Sequence, residues 1–301
     1  MSNKDLLDNI KKLRELTGVG FKDCKIALDE SKGDIEKSIE FLRKKGIAKA
    51  SKKMSRTASE GLALVKEMDG NVSIIEINSE TDFVAKNQDF VNFCKELSSL
   101  NFKNKGDLEK LNNTKMSDGI LVKDGLINLI SKIGEKITIR RAKFFNNSSG
   151  HNFFYIHSAI EKNIGKIISI IKLENIDQTK GKDLGNKLAM HIAASNPVAL
   201  SEKQLPDELI KREEKLYFEQ VRESGKPENI LENIVKGKMK KFINEVTLLN
   251  QNFVIDPDNT IKQVLNNKNN DILDYVRFEV GEGIEKNTED FADEVMKTIS
   301  N

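Results

Sequence analysis

The period of the hydrophobic pattern changes near residue 60, and this change constrains the fold more than any other feature of the chain. Before it, apolar residues recur every three or four positions in three short stretches separated by glycines. In the first stretch Leu6, Ile10 and Leu13 share one helix face. After Gly61, apolar and polar residues alternate as they do in half-buried strands. The sequence therefore predicts a mixed α+β protein that begins with a three-helix module at residues 1–46.

The segment 47–60 separates this helical part from the strands. Gly46 is expected to end the third helix, and the residues after it are rich in alanine, serine and lysine without a sustained apolar face. This composition favours a solvated linker over an RNA-contacting arm. The whole chain has a formal net charge of +2, from 49 basic and 47 acidic residues, which gives no overall attraction to a phosphate polymer or an anionic membrane.

Two later parts of the chain share an order of strands followed by a helix. In residues 61–135 two strand patterns flank the turn Asp69-Gly70-Asn71, and a helical pattern follows at 88–100 with Asn87 as its N-cap. In residues 136–301 the strand patterns come before a helical one, and the four stretches are 136–145, 153–158, 166–172 and 184–194. The repeated order predicts two small antiparallel α+β core subdomains, at 61–135 and 136–301.

A helical hairpin is predicted inside the second core subdomain, at 206–243. Two charged helical patterns flank Ser224-Gly225-Lys226-Pro227, a turn sequence that favours an antiparallel pair. The apolar stripe of the pair, which includes Leu216 and Ile230, is wide enough for one seam and leaves most of the surface in water. The sequence leaves open a weak homodimer formed through this hairpin.

The last part of the chain, 260–301, is predicted to form a C-terminal module. Its alternating stretch from Tyr275 to Gly281 is expected to complete the second sheet. A short amphipathic helix is expected at 290–299.

Residue patterns typical of catalytic, nucleotide-binding and metal sites are absent from the sequence. Gly281-Glu282-Gly283 lacks the third glycine and the following helix of a phosphate-cradling loop, so the chain is not expected to bind nucleotide directly. The histidines at 151, 157 and 191 lack the spacing of zinc ligands, and no nucleophile with a base can be assembled. We therefore expect no enzymatic activity, no metal and no cofactor. His191, within an apolar helical pattern, is expected to be a half-buried, hydrogen-bonded side chain.

The cysteines and the apolar runs of the sequence predict the cellular compartment of the protein. Cys24 and Cys94 each lie in an amphipathic pattern and are expected to be buried free thiols. The sequence contains no run of about 18 apolar residues. Its first residues also lack the apolar stretch of a secretory signal. These features predict a cytoplasmic protein.

One large apolar side chain, Phe83, lies in an otherwise polar turn between a strand and a helix. A phenylalanine in such a turn either folds back onto its own core or projects as a knob. On physical grounds alone the core position is favoured, because large exposed apolar groups are uncommon without a partner.

Four stretches of the chain form a recognisable set: Leu13 to Gly20 with Asp23-Cys24-Lys25, Thr81 to Lys86, Met190 to Ser195, and Arg277 to Gly283. In their order and spacing they resemble the elongation factor Ts family. The likeness covers the whole chain. It implies an N-terminal module similar to a ubiquitin-associated domain and two core subdomains, the second with an inserted helical hairpin. It also implies a non-enzymatic exchange factor that binds EF-Tu, both GDP-bound and nucleotide-free, and promotes GDP release.

The resemblance further implies which residues contact EF-Tu. Asp82 and Phe83 match residues that enter the GTPase domain, where the phenylalanine wedges between two helices and disturbs the magnesium and phosphate sites. The resemblance assigns the binding of EF-Tu and the displacement of magnesium to Thr81, Asp82, Phe83 and Val84. It assigns supporting contacts to Arg14, Gly20, Phe21 and His157. The second core subdomain is expected to contact the third domain of EF-Tu. The chain departs from the family in having Phe21-Lys22 where many members have two methionines, and in its longer stretch 148–166.

Two other classes of protein compete with this interpretation. Two basic clusters suggest an RNA-binding, ribosome-associated protein: Lys52, Lys53 and Arg56, and Lys236, Lys238, Lys240 and Lys241. Acidic residues near both clusters interrupt the basic face and argue against this class. A hydrolase or transferase would need an assembled catalytic site, which no local pattern supplies.

Overall fold

The computed structural model describes residues 3–17, 19–174, 181–222 and 228–285. The described chain is a mixed α+β protein with helices at its N-terminus followed by antiparallel sheets, as the change of hydrophobic period predicts. The predicted turn at 224–227 and the predicted helix at 290–299 lie outside the described residues.

Three helices form the N-terminal module: α1 (Asn3–Thr17), α2 (Phe21–Glu30) and α3 (Ile35–Lys53). They enclose a small core of Ile10, Leu13, Cys24, Ala27, Leu28 and Leu42. The Asp34 side chain caps α3 by accepting a hydrogen bond from the Lys37 backbone N–H at 3.0 Å. The spacing of apolar residues therefore produces the expected three-helix packing.

The prediction that Gly46 ends the third helix is wrong, and so is the predicted linker for residues 47–53, because α3 continues to Lys53. The continuation packs against another helix, α7 (Val122–Ile133). Ala50 is buried in the core beneath the first sheet. Tertiary packing thus outweighs the weak helix preference of a single glycine.

A Gly46→Ala substitution tests the continuity of α3. A Cβ at this position would lie 3.5 Å from Ser131 Oγ and 3.8 Å from Ile127 Cγ2, which are ordinary contacts. Alanine is favoured over glycine inside a helix by about 1 kcal/mol, so we expect the free energy of unfolding in urea to rise by up to that amount. Gly237→Ala is the matched comparison, since a Cβ there would meet no atom within 4 Å. A loss of stability in the Gly46 variant alone would contradict a continuous helix.

The first sheet has the strand order β3-β2-β1-β5, formed by β1 (Glu60–Met68), β2 (Asn71–Ser79), β3 (Ile137–Phe145) and β5 (Ile164–Gly165). β1 and β2 form the predicted hairpin. The strand at 136–145 does not begin a separate second sheet as predicted, because β3 pairs with β2 from Val72↔Phe145 to Ser79↔Ile137. This pairing joins residues far apart in sequence, which a local pattern cannot indicate.

The second sheet has the order β4-β6-β9, formed by β4 (His151–His157), β6 (Ile167–Leu173) and β9 (Ile272–Glu279). The predicted strand near 275–281 completes this sheet, as expected. Helix α8 (Lys182–Ser195) packs on its outer face through Leu188 and Ile192.

The two sheets pack face to face, so that β1 is buried on both sides. Ala63 and Val65 of β1 meet Ile168 and Ile170 of β6 in a core shared by both sheets. The alternate residues Leu62 and Leu64 face a second core with the helices that cover the first sheet. These helices are α4 (Asp82–Ala85), α5 (Gln88–Lys103) and α7, with the short α6 (Leu108–Asn112) at their edge. Residues 61–65 read as a continuous apolar run because both faces of the strand are buried.

The remaining elements follow α8. The helical hairpin consists of α9 (Asp207–Arg222) and α10 (Glu228–Val246), and it is followed by β7 (Asn252–Phe253), β8 (Asp256–Thr260) and α11 (Ile261–Asn266). The apolar seam of the hairpin contains Val221, Leu231, Val235 and Met239. Leu216 and Ile230, which were expected in the seam, are exposed instead. The prediction of the residues at the helix–helix interface was therefore wrong at these two positions.

Candidate functional site

The segment between β2 and α5 forms a single helical turn, α4, held by hydrogen bonds at its C-terminal side. The backbone N–H of Lys86 donates to the Phe83 carbonyl at 3.1 Å, and the N–H of Asn87 donates to the Val84 carbonyl at 2.9 Å. The Asn87 side chain then caps α5, as predicted, by accepting from the N–H groups of Asp89 at 2.9 Å and Phe90 at 3.3 Å. The turn is therefore joined directly to a well-capped helix with a buried apolar face.

Phe83 projects into solvent, with a fractional exposure of 78%, more than any other large apolar residue in the described part of the chain. Its neighbours Val84 and Ala85 are buried in the core beneath the first sheet. The core position favoured for Phe83 on physical grounds alone is therefore wrong. The two following residues fill the inward-facing positions of the turn, which leaves Phe83 on its outer side.

A salt bridge between Asp82 and Lys86 lies beside the exposed ring. Lys86 Nζ lies 2.7 Å from Asp82 Oδ2 and 6.0 Å from the centre of the Phe83 ring. The hydrogen bond from Lys86 lowers the pKa of the Asp82 carboxyl, and the charge of Lys166 lowers it further. Lys166 is itself held by Glu60 Oε2 at 3.2 Å and by the Gly61 carbonyl at 3.0 Å. Asp82 therefore keeps its negative charge beside an apolar tip.

The N-terminal side of the turn is tied to the loop between α7 and β3. Glu135 accepts hydrogen bonds from the Thr81 N–H at 3.0 Å and from the Thr81 hydroxyl at 2.8 Å. Glu80 accepts from the backbone N–H of Lys136 at 2.5 Å. Sequence reasoning missed Glu80 and Glu135, because nothing in the local pattern at 135 indicates a contact with residue 81.

His157 lies at the exposed end of β4, opposite Ile167 of β6. Its Nδ1 is 3.4 Å from the Tyr155 hydroxyl. The neighbouring strand residue Gly165 lies so close that a Cβ there would be 3.0 Å from the His157 carbonyl oxygen. Lys166, whose charge acts on Asp82, comes directly after Gly165. The structure thus brings His157 to the part of the surface where Lys166 connects the two sheets.

The other predicted contact residues lie on the N-terminal module. Arg14 is exposed in the last turn of α1, and Gly20 is the residue before α2. A Cβ at Gly20 would meet no atom within 4 Å, so this backbone is open to close approach. Phe21 is 47% exposed beside it. Arg14 is thus exposed near the end of α1 and Gly20 and Phe21 at the start of α2, on different elements from the one that carries Phe83.

Both cysteines and His191 lie in the interior of the described chain. Cys24 and Cys94 are buried and free, as predicted. His191 is fully buried, not half-buried, with Nε2 2.9 Å from Gln251 Oε1 and Nδ1 accepting from the Val254 N–H at 3.3 Å. Burial lowers the pKa of His191. Across the described ranges no three side chains are grouped as metal ligands would be, and no helix is both long and apolar enough to cross a bilayer.

The fold and the exposed ring define an α+β protein with an N-terminal helical module, two stacked antiparallel sheets and an aromatic knob on a one-turn helix. The family model described as "Elongation factor TS" matches residues 80–282. The elongation factor Ts of Paracoccus denitrificans is 45% identical over 289 residues, covering 96% of each chain. That of Rickettsia felis is 42% identical over 295 residues, covering 95% of each. That of Parvibaculum lavamentivorans is 41% identical over 294 residues, covering 95% of this chain and 96% of the relative.

The chain therefore belongs to the elongation factor Ts family. It is a translation elongation factor of the nucleotide-exchange class.

Proposed function

We propose that this protein binds EF-Tu, in its GDP-bound and nucleotide-free states, and accelerates GDP release by inserting Phe83 into the GTPase domain. The observation that carries the proposal is the exposure of this ring on a turn whose neighbouring residues are anchored in the core. Leaving a phenylalanine in water forgoes roughly 1.5 to 3 kcal/mol of burial, which contact with a partner would recover.

The thermodynamics of exchange follow from coupled binding. If the factor weakens the affinity of EF-Tu for GDP, GDP must weaken the affinity of EF-Tu for the factor by the same ratio. A transient ternary complex then gives GDP a faster exit without changing the final equilibrium. The factor is released unchanged, so it acts as an exchange factor and not as an enzyme.

The wedge would act through the magnesium ion that helps to hold GDP. Mg²⁺ requires near-ideal octahedral geometry at short distances, so displacement of one ligand by less than an ångström is enough to weaken its site. In our proposal Phe83 forces two helices of the GTPase domain apart, and Asp82 adds a negative charge next to the displaced elements. Thr81 and Val84 hold these two side chains in place.

Supporting contacts would broaden the interface. Arg14, Gly20 and Phe21 are exposed on the N-terminal module and would touch the same GTPase domain. His157 would support the contact made by the knob, and the second sheet with α8 would face the third domain of EF-Tu. Such an interface would combine apolar contacts with polar ones, as protein–protein interfaces generally do.

RNA binding has weaker support because several of the basic side chains are engaged within the chain. Arg56 pairs with Glu80 at 3.1 Å, and Lys241 lies 3.7 Å from Glu245. Lys238 Nζ lies 5.2 Å from the centre of the Tyr217 ring. These contacts reduce the charge available to a phosphate backbone.

Co-elution with EF-Tu tests the proposed function. The purified chain and nucleotide-free EF-Tu should elute together in size-exclusion chromatography, and added GDP with magnesium should separate them. In the same preparation, substoichiometric amounts of the chain should accelerate release of a fluorescent GDP from EF-Tu. A complex that GDP and magnesium leave intact, or the absence of any complex, would rule the function out.

A further inference from the structure

The one-turn helix that carries Phe83 cannot hold its direction by its own hydrogen bonds. Helices of this length are unstable in isolation, because forming the first turn fixes several residues for one hydrogen bond. Thr81, at the N-cap position of α4, makes no side-chain cap to the turn. Its hydroxyl donates to Glu135 instead, from a part of the chain 54 positions away. The N-terminal side of α4 is therefore held by a residue that lies outside the helix.

Glu135 makes two hydrogen bonds to the same residue. One carboxylate oxygen accepts from the Thr81 N–H at 3.0 Å, and the other accepts from the Thr81 hydroxyl at 2.8 Å. The reciprocal contact, from the Lys136 N–H to the Glu80 carboxylate, joins the next residues of each segment. A carboxylate that accepts two hydrogen bonds from one residue fixes both its position and its rotation.

Glu135 itself stands on a rigid support. Helix α7 ends at Ile133, and Gly134 adopts φ +86°, a left-handed conformation that reverses the chain at the helix end. Ile137 then begins β3, opposite Ser79 of β2. Glu135 thus lies between the end of a helix that packs in the first core and the start of a sheet strand.

The same loop also contacts the end of α3. Lys136 Nζ donates to the carbonyl oxygens of Met54 and Arg56, both at 2.8 Å. Arg56 in turn pairs with Glu80. Residues 134–136 therefore link the chain leaving the N-terminal module to the base of the knob.

We propose that Glu135 is a positioning residue for nucleotide exchange, which holds Thr81 so that Phe83 points outward in the orientation that enters the partner. This inference rests on the proposed function. Val84 and Ala85 anchor the C-terminal side of the turn in the core, and Glu135 anchors the N-terminal side, so that Phe83 lies between two fixed points. Without the carboxylate, the ring stays exposed but samples several directions.

Exchange kinetics of Glu135 variants test this role. In Glu135→Ala we expect the second-order rate constant for stimulated GDP release to fall about tenfold, since a lost charged hydrogen bond changes an equilibrium by that order. Glu135→Gln keeps one carbonyl acceptor and should recover part of the rate. Glu67→Ala, which removes an exposed glutamate on β1, is the matched control and should retain the full rate. Thermal unfolding should confirm that all three variants are folded.

A double-mutant cycle with Phe83→Ala separates positioning from a contact made by Glu135 itself. If Glu135 acts through Phe83, its replacement should cause little further loss once the ring is absent. Full additivity of the two losses would overturn the inference, and so would a wild-type rate in Glu135→Ala. If instead Phe83→Ala alone retained the wild-type rate, the proposed function would fail before the role of Glu135 was reached. The two failures are therefore distinguishable.

Discussion

Replacing Phe83 by alanine is expected to leave the protein folded and to remove most of its acceleration of GDP release from EF-Tu. The ring is exposed and is no part of a buried core, so its removal creates no cavity. Burial of one phenylalanine in a partner is worth roughly 1.5 to 3 kcal/mol, which corresponds to about a ten- to hundredfold loss in the rate constant for stimulated release. Stopped-flow release of a fluorescent GDP measures this directly.

A matched variant controls for the loss of exposed apolar area. Met68, at the end of β1, is 53% exposed, so Met68→Ala also removes a large apolar side chain from the surface. It should retain the full rate, and both variants should unfold at nearly the wild-type temperature. Equal acceleration by Phe83→Ala and the wild-type protein would show that the ring does not act as a wedge.

Replacing Glu76 by alanine is expected to cause the largest loss of stability. This side chain is fully buried in β2, and its carboxylate accepts from Arg140 at 2.9 Å, Arg141 at 2.5 Å and the Gly281 N–H at 2.9 Å. Removing one partner of a buried ion pair typically costs about 3 to 5 kcal/mol; the two arginines remain partly solvated, which favours the lower value, about 3 kcal/mol. Urea unfolding measures the change, with Glu67→Ala as the surface control.

The pH dependence of stability tests whether the charge on Glu76 is what stabilises the folded protein. Burial by itself raises the pKa of this carboxyl, but the Gly281 N–H and the two arginines outweigh it and hold the pKa below its usual value of 4.5. A group with a lowered folded pKa contributes stability above the unfolded pKa, and this contribution is lost as the pH falls through the folded pKa. The wild-type protein should therefore have a higher free energy of unfolding than Glu76→Gln at neutral pH, and this difference should shrink below about pH 4.5. If this difference in free energy of unfolding did not change with pH, the charge on Glu76 would not be its cause.

Local patterns predicted the elements whose signals are complete within a few residues. The β1–β2 hairpin follows from alternating residues around Asp69-Gly70, and α5 follows from its apolar face and the Asn87 cap. The free, buried state of Cys24 and Cys94 follows from their places in amphipathic patterns. In each case the neighbours in sequence are also the neighbours in space.

Contacts between distant segments escaped prediction. The pairing of β3 with β2 depends on a register set across more than fifty residues, and α3 passes Gly46 because α7 packs against it. The exposure of Phe83 depends on Val84 and Ala85 filling the core, which the polar character of the turn did not reveal. The contact between Glu135 and Thr81 has no local signal at either residue. For Phe83 the family resemblance supplied the alternative that physical reasoning alone disfavoured.

A cysteine at position 83 measures whether this residue enters the partner. Cys24 and Cys94 are buried, and burial raises the pKa of both thiols, so neither should react readily with an alkylating agent. In Phe83→Cys the new thiol should react fast in the free protein, slowly in the complex with excess nucleotide-free EF-Tu, and fast again after addition of GDP and magnesium. Met68→Cys should react at one rate throughout. Unchanged alkylation at position 83 while the two proteins still co-elute would contradict insertion of this residue into EF-Tu.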